Sequence, residues 1–189
     1  MEKEIEITEK ILSEGRDNFL SVNDLGMFIA TLISYRSKDP NTQVGACIID
    51  TDENVLSIGY NKPPKNWCGT NFPWGRDVDK LGIEKTKYPY TIHAEANALN
   101  NYQGPKDKLN DSTMYVTLFP CSECAKKIVE SGIKRVIYKD DKYNNTKDNA
   151  CAKILLRYCG VEVIDIKELT NNTNYDINYQ KKKKRNGGF

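Results

Sequence analysis

The chain has 189 residues, a length that fits one compact domain better than two. Its 28 basic and 26 acidic residues give a formal net charge of +2, but five of the basic residues form the run KKKKR at 181–185, so the remainder is slightly acidic. Such a body argues against a nucleic-acid-binding surface, and no apolar run is long enough to predict a membrane span.

The first predicted elements are a helix and a hairpin. Residues 1–20 are charged and weakly patterned, so we expect a peripheral segment there. A helix follows whose apolar residues recur at intervals of three and four, which predicts one face that packs on the core. The members of that face are Leu25, Phe28, Ile29, Leu32 and Ile33. Two apolar runs at 43–49 and 55–60, separated by a polar turn, predict an antiparallel hairpin.

The next segment, 62–90, has no clear periodicity. It contains four of the seven prolines and both tryptophans. A stretch of this length without regular structure inside a compact domain is usually functional, so we expect a lid or an effector loop.

Helices and strands alternate in the second half of the chain, where Gly132 and Gly160 mark two helix ends. The predicted elements are a helix from about 92, a strand at 114–119, a helix at 121–131, a strand at 135–138, a helix at 148–159 and a strand at 161–164. This alternation predicts parallel pairing. With the hairpin, it gives an α/β fold over 21–168, a three-layer α/β/α domain around a five-stranded mixed sheet. The polar residues 169–189 are expected to form a disordered basic tail.

Two of the six cysteines, Cys121 and Cys124, lie where a predicted strand gives way to a helix. At a spacing of three they project from one face, and the N–H groups of a helix N-terminus favour thiolates. Taken alone, the pair is equally consistent with a redox dithiol, half of a structural zinc site, or two incidental cysteines.

The only histidine, His93, narrows these alternatives. With Cys121 and Cys124 it makes three metal ligands, and three protein ligands are typical of a catalytic zinc site. A closed structural site would need another cysteine, for which Cys68 in the long loop is the remaining candidate. By itself, His93 is better explained as a capping or hydrogen-bonded core residue than as a ligand.

Glu95 follows His93 by two positions. On a regular helix the two side chains point about 200° apart, which is wrong for two ligands of one ion. We therefore place His93 in an irregular first turn as a ligand and assign Glu95 to proton transfer. The alternative for Glu95 is an ordinary acid in the first turn of a helix.

The pattern H-x-E followed by P-C-x-x-C is the signature of zinc-dependent nucleobase deaminases, and within that superfamily the chain resembles the deoxycytidylate deaminases. The resemblance runs from about Leu25 to Val163. It also rests on the stretches RSKDPNTQVGACI, IGYN, KYPYTIHAEANAL, MYVTLFPCSECAKKIVESGIKRVIY and DKY.

The resemblance implies a cytidine-deaminase-like fold with one catalytic Zn²⁺ held by His93, Cys121 and Cys124. It implies hydrolysis of dCMP to dUMP and ammonia, which supplies dUMP for thymidylate synthesis. Glu95 would accept the proton of the attacking water, deliver a proton to N3 of cytosine and then deliver another proton to the departing amine.

Five further residues are candidates for substrate contacts. By resemblance, Asn61 would bind the sugar or the base; Phe119 and Tyr143 are candidates for the base pocket, and Arg36 and Lys38 for the phosphate. Each also has an ordinary explanation, because Asn forms turns, aromatic residues pack and cations lie on surfaces.

The resemblance also implies partners. Members of the family are commonly homo-oligomers, hexamers or dimers, that dCTP with Mg²⁺ activates and dTTP inhibits. Here Lys62-Pro63-Pro64 replaces the usual Gly-x-Pro after GYN, so effector binding is only an open expectation.

Location and rival functions complete the sequence-based expectations. The acidic start MEKEIEITEK does not have the pattern of a signal peptide, so we expect a cytoplasmic protein. KKKKR is either a solvated end or a nuclear localisation signal. The rival functions are deamination of another cytosine or adenine substrate, such as a nucleoside, free base, tRNA or single-stranded DNA, and a non-enzymatic zinc-binding module.

Overall fold

The structure is a computed structural model that describes residues 15–67, 71–171 and 174–177. The α-helices are α1 (Val22–Ser34), α2 (Val78–Leu81), α3 (Ala94–Asn101), α4 (Ser122–Glu130) and α5 (Lys147–Tyr158). The strands are β1 (Gly45–Ile49), β2 (Val55–Tyr60), β3 (Thr113–Val116), β4 (Arg135–Tyr138) and β5 (Glu162–Asp165). Short 3₁₀ helices span Ile83–Lys85, Lys106–Leu109 and Ile166–Glu168. No helix in the described ranges is long and apolar enough to span a membrane.

The strands form one mixed sheet in the order β2-β1-β3-β4-β5. β1 pairs antiparallel with both β2 and β3. The crossovers through α4 and α5 make β3, β4 and β5 parallel. The predicted hairpin and five-stranded mixed sheet are therefore confirmed.

Alternate residues of the central strands face opposite helical layers, as the period of a strand requires. On one face, Ala46, Ile48 and Val136 belong to a buried cluster with residues of α3, α4 and α5. On the other face, Cys47 and Ile49 pack with α1. This arrangement confirms the predicted three-layer architecture.

The buried face of α1 differs from the predicted one. Leu25 is 36% exposed and Leu32 is 58% exposed, whereas the buried positions include Gly26, Met27 and Ala30. Small residues are required because the helix lies close to the sheet: a Cβ on Gly26 would lie 2.5 Å from the ring of Tyr115. The predicted apolar face is therefore only partly correct, because Leu25 and Leu32 are exposed whereas Phe28 and Ile29 pack against the buried cluster.

The expectation of a disordered tail from residue 169 is wrong for residues 174–177. Tyr175 is 1% exposed, packs against Phe28 with ring centroids 5.0 Å apart, and donates a hydrogen bond from Oη to Asp24. This aromatic anchor adds the segment to the α1 layer. Residues 178–189, with KKKKR, lie outside the described residues, as do residues 1–14, so the predicted peripheral N-terminal segment stays a prediction.

The segment 62–90 is more regular than its sequence predicts. Besides α2 and a 3₁₀ turn, it contains a bridge between Gly75 and Thr86, and its start pairs with Ile92 through Lys62. An aromatic cluster stabilises it, with Phe72 in ring contact with Trp67, Trp74 and Tyr90. The segment is therefore fastened at both ends.

Candidate active site

The starts of two helices converge to form the candidate metal site. His93 is the N-cap of α3 and Cys121 is the N-cap of α4, and both have extended backbone conformations. α3 lies close to β2 at Gly59, where an added Cβ would be 2.2 Å from the backbone nitrogen of Ala98. The predicted irregular geometry at His93 is thus the geometry of a cap residue.

The three predicted ligands lie at metal-binding distances from one another. His93 Nδ1 is 3.4 Å from Cys121 Sγ and 3.5 Å from Cys124 Sγ, and all three donor atoms lie within 4.8 Å of one another. Donors bound at about 2.0 to 2.3 Å to a tetrahedral zinc ion lie roughly 3.5 Å apart. The donor set and its spacing therefore fit Zn²⁺.

The protonation of the triad also suits a metal. The hydrogen bond from Cys124, and then that with His93, lowers the pKa of Cys121 to about 4. The hydrogen bond between His93 and Cys121 raises the pKa of His93 to about 9. The hydrogen bond between Cys124 and Cys121, together with burial, raises the pKa of the Cys124 thiol. The lowered pKa of Cys121 favours its thiolate, which is the form that binds a metal ion, and Cys124 would release its proton on becoming a ligand.

Glu95 lies in the first turn of α3 beside this triad. Its side chain is buried, contacts Cys124 and lines the same cavity. Burial raises the pKa of the Glu95 carboxyl. A carboxyl group whose pKa is raised holds a proton more readily, and general acid–base catalysis requires a group that can both accept and return one.

The triad opens into a cavity of about 280 Å³. Three of the five predicted substrate residues, Asn61, Phe119 and Tyr143, line it. Arg36 and Lys38 are not among its lining residues, because the chain turns after α1 and presents Asp39 and Thr42 to the cavity instead. The structure therefore does not place the two predicted phosphate ligands at the site.

Two other cations line the cavity, and the sequence analysis did not single them out. Arg76 is exposed and its guanidinium hydrogen-bonds to the side chain of Tyr88, which raises the pKa of Arg76. Lys87 is buried and forms an ion pair with Asp39. Both cations belong to the long loop, where the lack of periodicity does not indicate which side chains face inward. Arg76 has no other sequence signal, whereas Lys87 belongs to the stretch KYPYTIHAE, which also contains His93 and Glu95.

A carboxylate from α5 steadies the start of α4. Ser122, between the two cysteine ligands, donates its backbone N–H to Asp148 at 3.2 Å and its hydroxyl to the same carboxylate. Asp148 lines the cavity from the first turn of α5. Asp148 therefore links α5 to the metal site, in addition to α3 and α4, which carry the ligands.

The other cysteines of the described part lie apart from the triad. Cys47 is buried in β1, and burial raises its thiol pKa to about 12. Cys151 and Cys159 are exposed on and after α5. Cys68, the alternative fourth ligand, lies outside the described residues.

Comparison with known proteins gives one consistent family. Residues 21–140 match the model of the cytidine and deoxycytidylate deaminase zinc-binding region. The chain is 44% identical over 152 residues to the deoxycytidylate deaminase of Mus musculus, covering 80% of this chain and 83% of that protein. It is also 44% identical over 153 residues to the Homo sapiens protein of the same name, with the same coverage.

Among solved structures, the chain is similar to the dCMP deaminase of cyanophage S-TIM5 in complex with dCMP and dUMP. The identity is 25% and the TM-score 0.57, over 75% of this chain and 94% of the phage protein. A second structure, Acinetobacter baumannii RibD, is similar in fold, with a TM-score of 0.54 at 23% identity over 78% of this chain and 36% of that protein.

Proposed function

The chain belongs to the cytidine and deoxycytidylate deaminase family, and on that premise we propose that it hydrolyses dCMP to dUMP and ammonia in the cavity described above. The observation that carries the proposal is the buried Glu95 carboxyl beside the His93, Cys121 and Cys124 triad. The names of the mouse and human relatives support dCMP as the substrate. The product dUMP would then supply thymidylate synthesis.

His93, Cys121 and Cys124 would hold the ion, which when bound supplies Lewis-acid activation of the attacking water. Glu95 accepts a proton from the attacking water and delivers it to N3 of cytosine. It then takes the second proton from the oxygen that has added to C4 and delivers it to the amine, which leaves as ammonia while that oxygen becomes the carbonyl of dUMP. The Glu95 side chain is 4% exposed, so its carboxyl has little contact with bulk solvent. Phe119 and Tyr143 offer ring surfaces that can enclose the flat base.

Arg76 is the proposed phosphate ligand in place of Arg36 and Lys38. It lines the cavity and is exposed, so a nucleotide monophosphate can reach it from solvent. A guanidinium can bind two phosphate oxygens at once. Lys87 is less suited to this task because the carboxylate of Asp39 already compensates its charge.

Ammonia release should be measured with the zinc-loaded protein on dCMP, dCTP, deoxycytidine, cytidine, tRNA and single-stranded DNA. The proposal predicts the highest kcat/KM for dCMP and dUMP as its product. A higher value for either polynucleotide would favour the rival deaminase function. No turnover of any substrate by a fully zinc-loaded sample would favour the non-enzymatic zinc module.

A homo-oligomer, a hexamer or dimer, is also proposed. Exposed apolar side chains on two helices support it, with Leu25 and Leu32 on α1 and Ile154 and Tyr158 on α5. Sedimentation velocity should show a species larger than the 21.6 kDa monomer. A monomer at micromolar concentration would contradict this part of the proposal.

Regulation by dCTP and dTTP is also proposed, as is a cytoplasmic location, with a nuclear location as the alternative. An activity titration with dCTP and Mg²⁺, and then with dTTP, tests effector binding. In the structure, Lys62 pairs through its backbone with Ile92, one residue before the ligand His93, so this substituted position adjoins the site. Imaging of the chain with and without residues 181–185 tests whether it is cytoplasmic or nuclear.

A further inference from the structure

A buried ion pair lies in the cavity wall, and the proposed chemistry does not use it. The Lys87 ammonium contacts the Asp39 carboxylate, and the two side chains are 9% and 1% exposed. Both residues line the cavity. Removing two charges from water is costly, so such a pair is weak evidence for stability and calls for another explanation.

The carboxylate of Asp39 organises the turn that enters β1. Its Oδ1 accepts the backbone N–H of Asn41 at 2.8 Å and that of Thr42 at 3.1 Å. Its Oδ2 accepts from Lys87 and, at 3.4 Å, from Nδ2 of Asn61. Lys87 and Asn61 therefore share one oxygen.

The amide of Asn61 is fixed by its neighbours. Nδ2 also donates to the Thr42 carbonyl at 3.0 Å, and Oδ1 accepts the Val44 N–H at 2.8 Å. An amide rotated by half a turn would place Oδ1 against the Asp39 carboxylate, so the orientation is set. A carbonyl oxygen has two lone pairs, so Oδ1 can accept one further hydrogen bond from a ligand in the cavity.

The backbone of Lys87 connects this network to the metal site. Its carbonyl accepts the N–H groups of Tyr90 and Thr91, at 3.1 and 3.0 Å, and so closes the turn that leads to His93. Two backbone hydrogen bonds between Lys62 and Ile92, at 3.0 and 2.9 Å, then join the residue after Asn61 to the residue before His93. Lys87 thus supports the turn before His93 through its carbonyl and contacts Asp39 through its side chain.

We propose that Lys87 is a positioning residue that acts through Asp39 to hold Asn61 in the orientation that accepts a hydrogen bond from the nucleotide. This inference rests on the proposed function, because it requires Asn61 to contact the substrate. The ammonium compensates the charge of Asp39 inside the wall. Without it, the buried carboxylate would draw the Asn61 amide or water toward itself and Asn61 would lose its alignment.

A double-mutant cycle on kcat/KM for dCMP tests the inference, with the variants Lys87→Met, Asn61→Ala and the combination of both. We expect Lys87→Met to lower kcat/KM about tenfold, the value of one hydrogen bond, mainly through KM and with zinc content unchanged. In the Asn61→Ala background the same change should cost less than about twofold, because coupled residues are not additive. An equal loss in both backgrounds, or no loss in the first, would overturn the inference.

Two further variants keep the test decisive. If Lys87→Met does not fold, Asp39→Asn with Lys87→Met removes both charges, a change that buried pairs usually tolerate. This double variant should bind zinc but keep the lowered kcat/KM. The reason is that the amide introduced at position 39 can point an N–H group at the Nδ2 group of Asn61, where the wild type has an accepting oxygen. A wild-type kcat/KM in this variant would contradict the inference. Lys85→Met, at an exposed position two residues earlier, is the control and should match the wild type. Failure of the proposed function is distinguishable, because the wild type itself would then release no ammonia from dCMP.

Discussion

The two halves of the cavity are built in different ways. In the catalytic half, His93, Glu95, Cys121 and Cys124 sit at the starts of α3 and α4, so helix geometry sets their positions. In the substrate half, Asp39, Asn61 and Lys87 lie in turns and loops, where hydrogen bonds between distant residues set their positions. The comparison shows that each ligand and the acid take their local conformation from a helix start, and the fold then brings the two helix starts together. The substrate wall has no such regular element and depends on hydrogen bonds between loops.

The largest expected effect is in the catalytic half, where Cys124→Ala removes a metal ligand. Zinc content should fall close to zero and ammonia release from dCMP should become undetectable, because two ligands do not hold the ion in place. Elemental analysis and an activity assay check both. Cys151→Ser, at an exposed position on α5, is the control and should retain zinc and activity. A zinc-loaded Cys124→Ala protein would contradict the assigned ligand set.

The next effect separates the acid from the ligands within the same half. Glu95→Gln keeps the shape of the side chain but cannot carry a proton, so kcat should fall by about 10²- to 10⁴-fold, the usual contribution of a general acid–base. Zinc content should stay at the wild-type level. Substantial turnover by the zinc-loaded variant would show that another group moves the proton.

A smaller effect is expected in the substrate half, at its rim. Arg76→Met should lower kcat/KM for dCMP about 10- to 100-fold, the range for a hydrogen bond to a charged group. The activity on deoxycytidine, which has no phosphate, should not change. Arg36→Met and Lys38→Met are matched controls, because neither residue lines the cavity. A larger loss in either control than in Arg76→Met would restore the phosphate site predicted from the sequence.

The smallest effect is expected where α5 supports the catalytic half. Asp148→Asn weakens the contact with Ser122 and should reduce zinc affinity about tenfold or less, because outer partners of metal ligands act indirectly. Competition with a chelator measures this affinity. Glu123→Gln is the control, since this exposed carboxylate in the first turn of α4 pairs with Lys126 instead. Equal zinc affinities in Asp148→Asn and the wild type would show that α5 does not support the metal site.

The residues of the catalytic half of the cavity were easier to predict from the sequence than those of the substrate half. The mixed sheet, the layers and the triad could be predicted because periodicity, helix stops and the H-x-E and P-C-x-x-C patterns are all local signals. The inward positions of Arg76 and Lys87 were not predicted, because they depend on contacts that sequence periodicity does not indicate, such as the ion pair of Lys87 with the distant Asp39.

The face of α1 shows a second limit. Leu25 and Leu32 match helical spacing but are exposed, whereas the buried positions are Gly26, which lies against the ring of Tyr115, and its neighbour Met27. Spacing identifies the apolar stripe but not what the stripe contacts. Tyr175 was missed for a related reason, since a single aromatic anchor in a polar segment has no period.

The central claim is that the cavity combines a deaminating centre with a site for a nucleotide monophosphate. The most direct test is kcat/KM for dCMP and for deoxycytidine, measured side by side on one zinc-loaded sample. The account predicts that dCMP exceeds deoxycytidine by about tenfold or more, because only dCMP carries the phosphate that Arg76 binds. Equal values for the two substrates would contradict it.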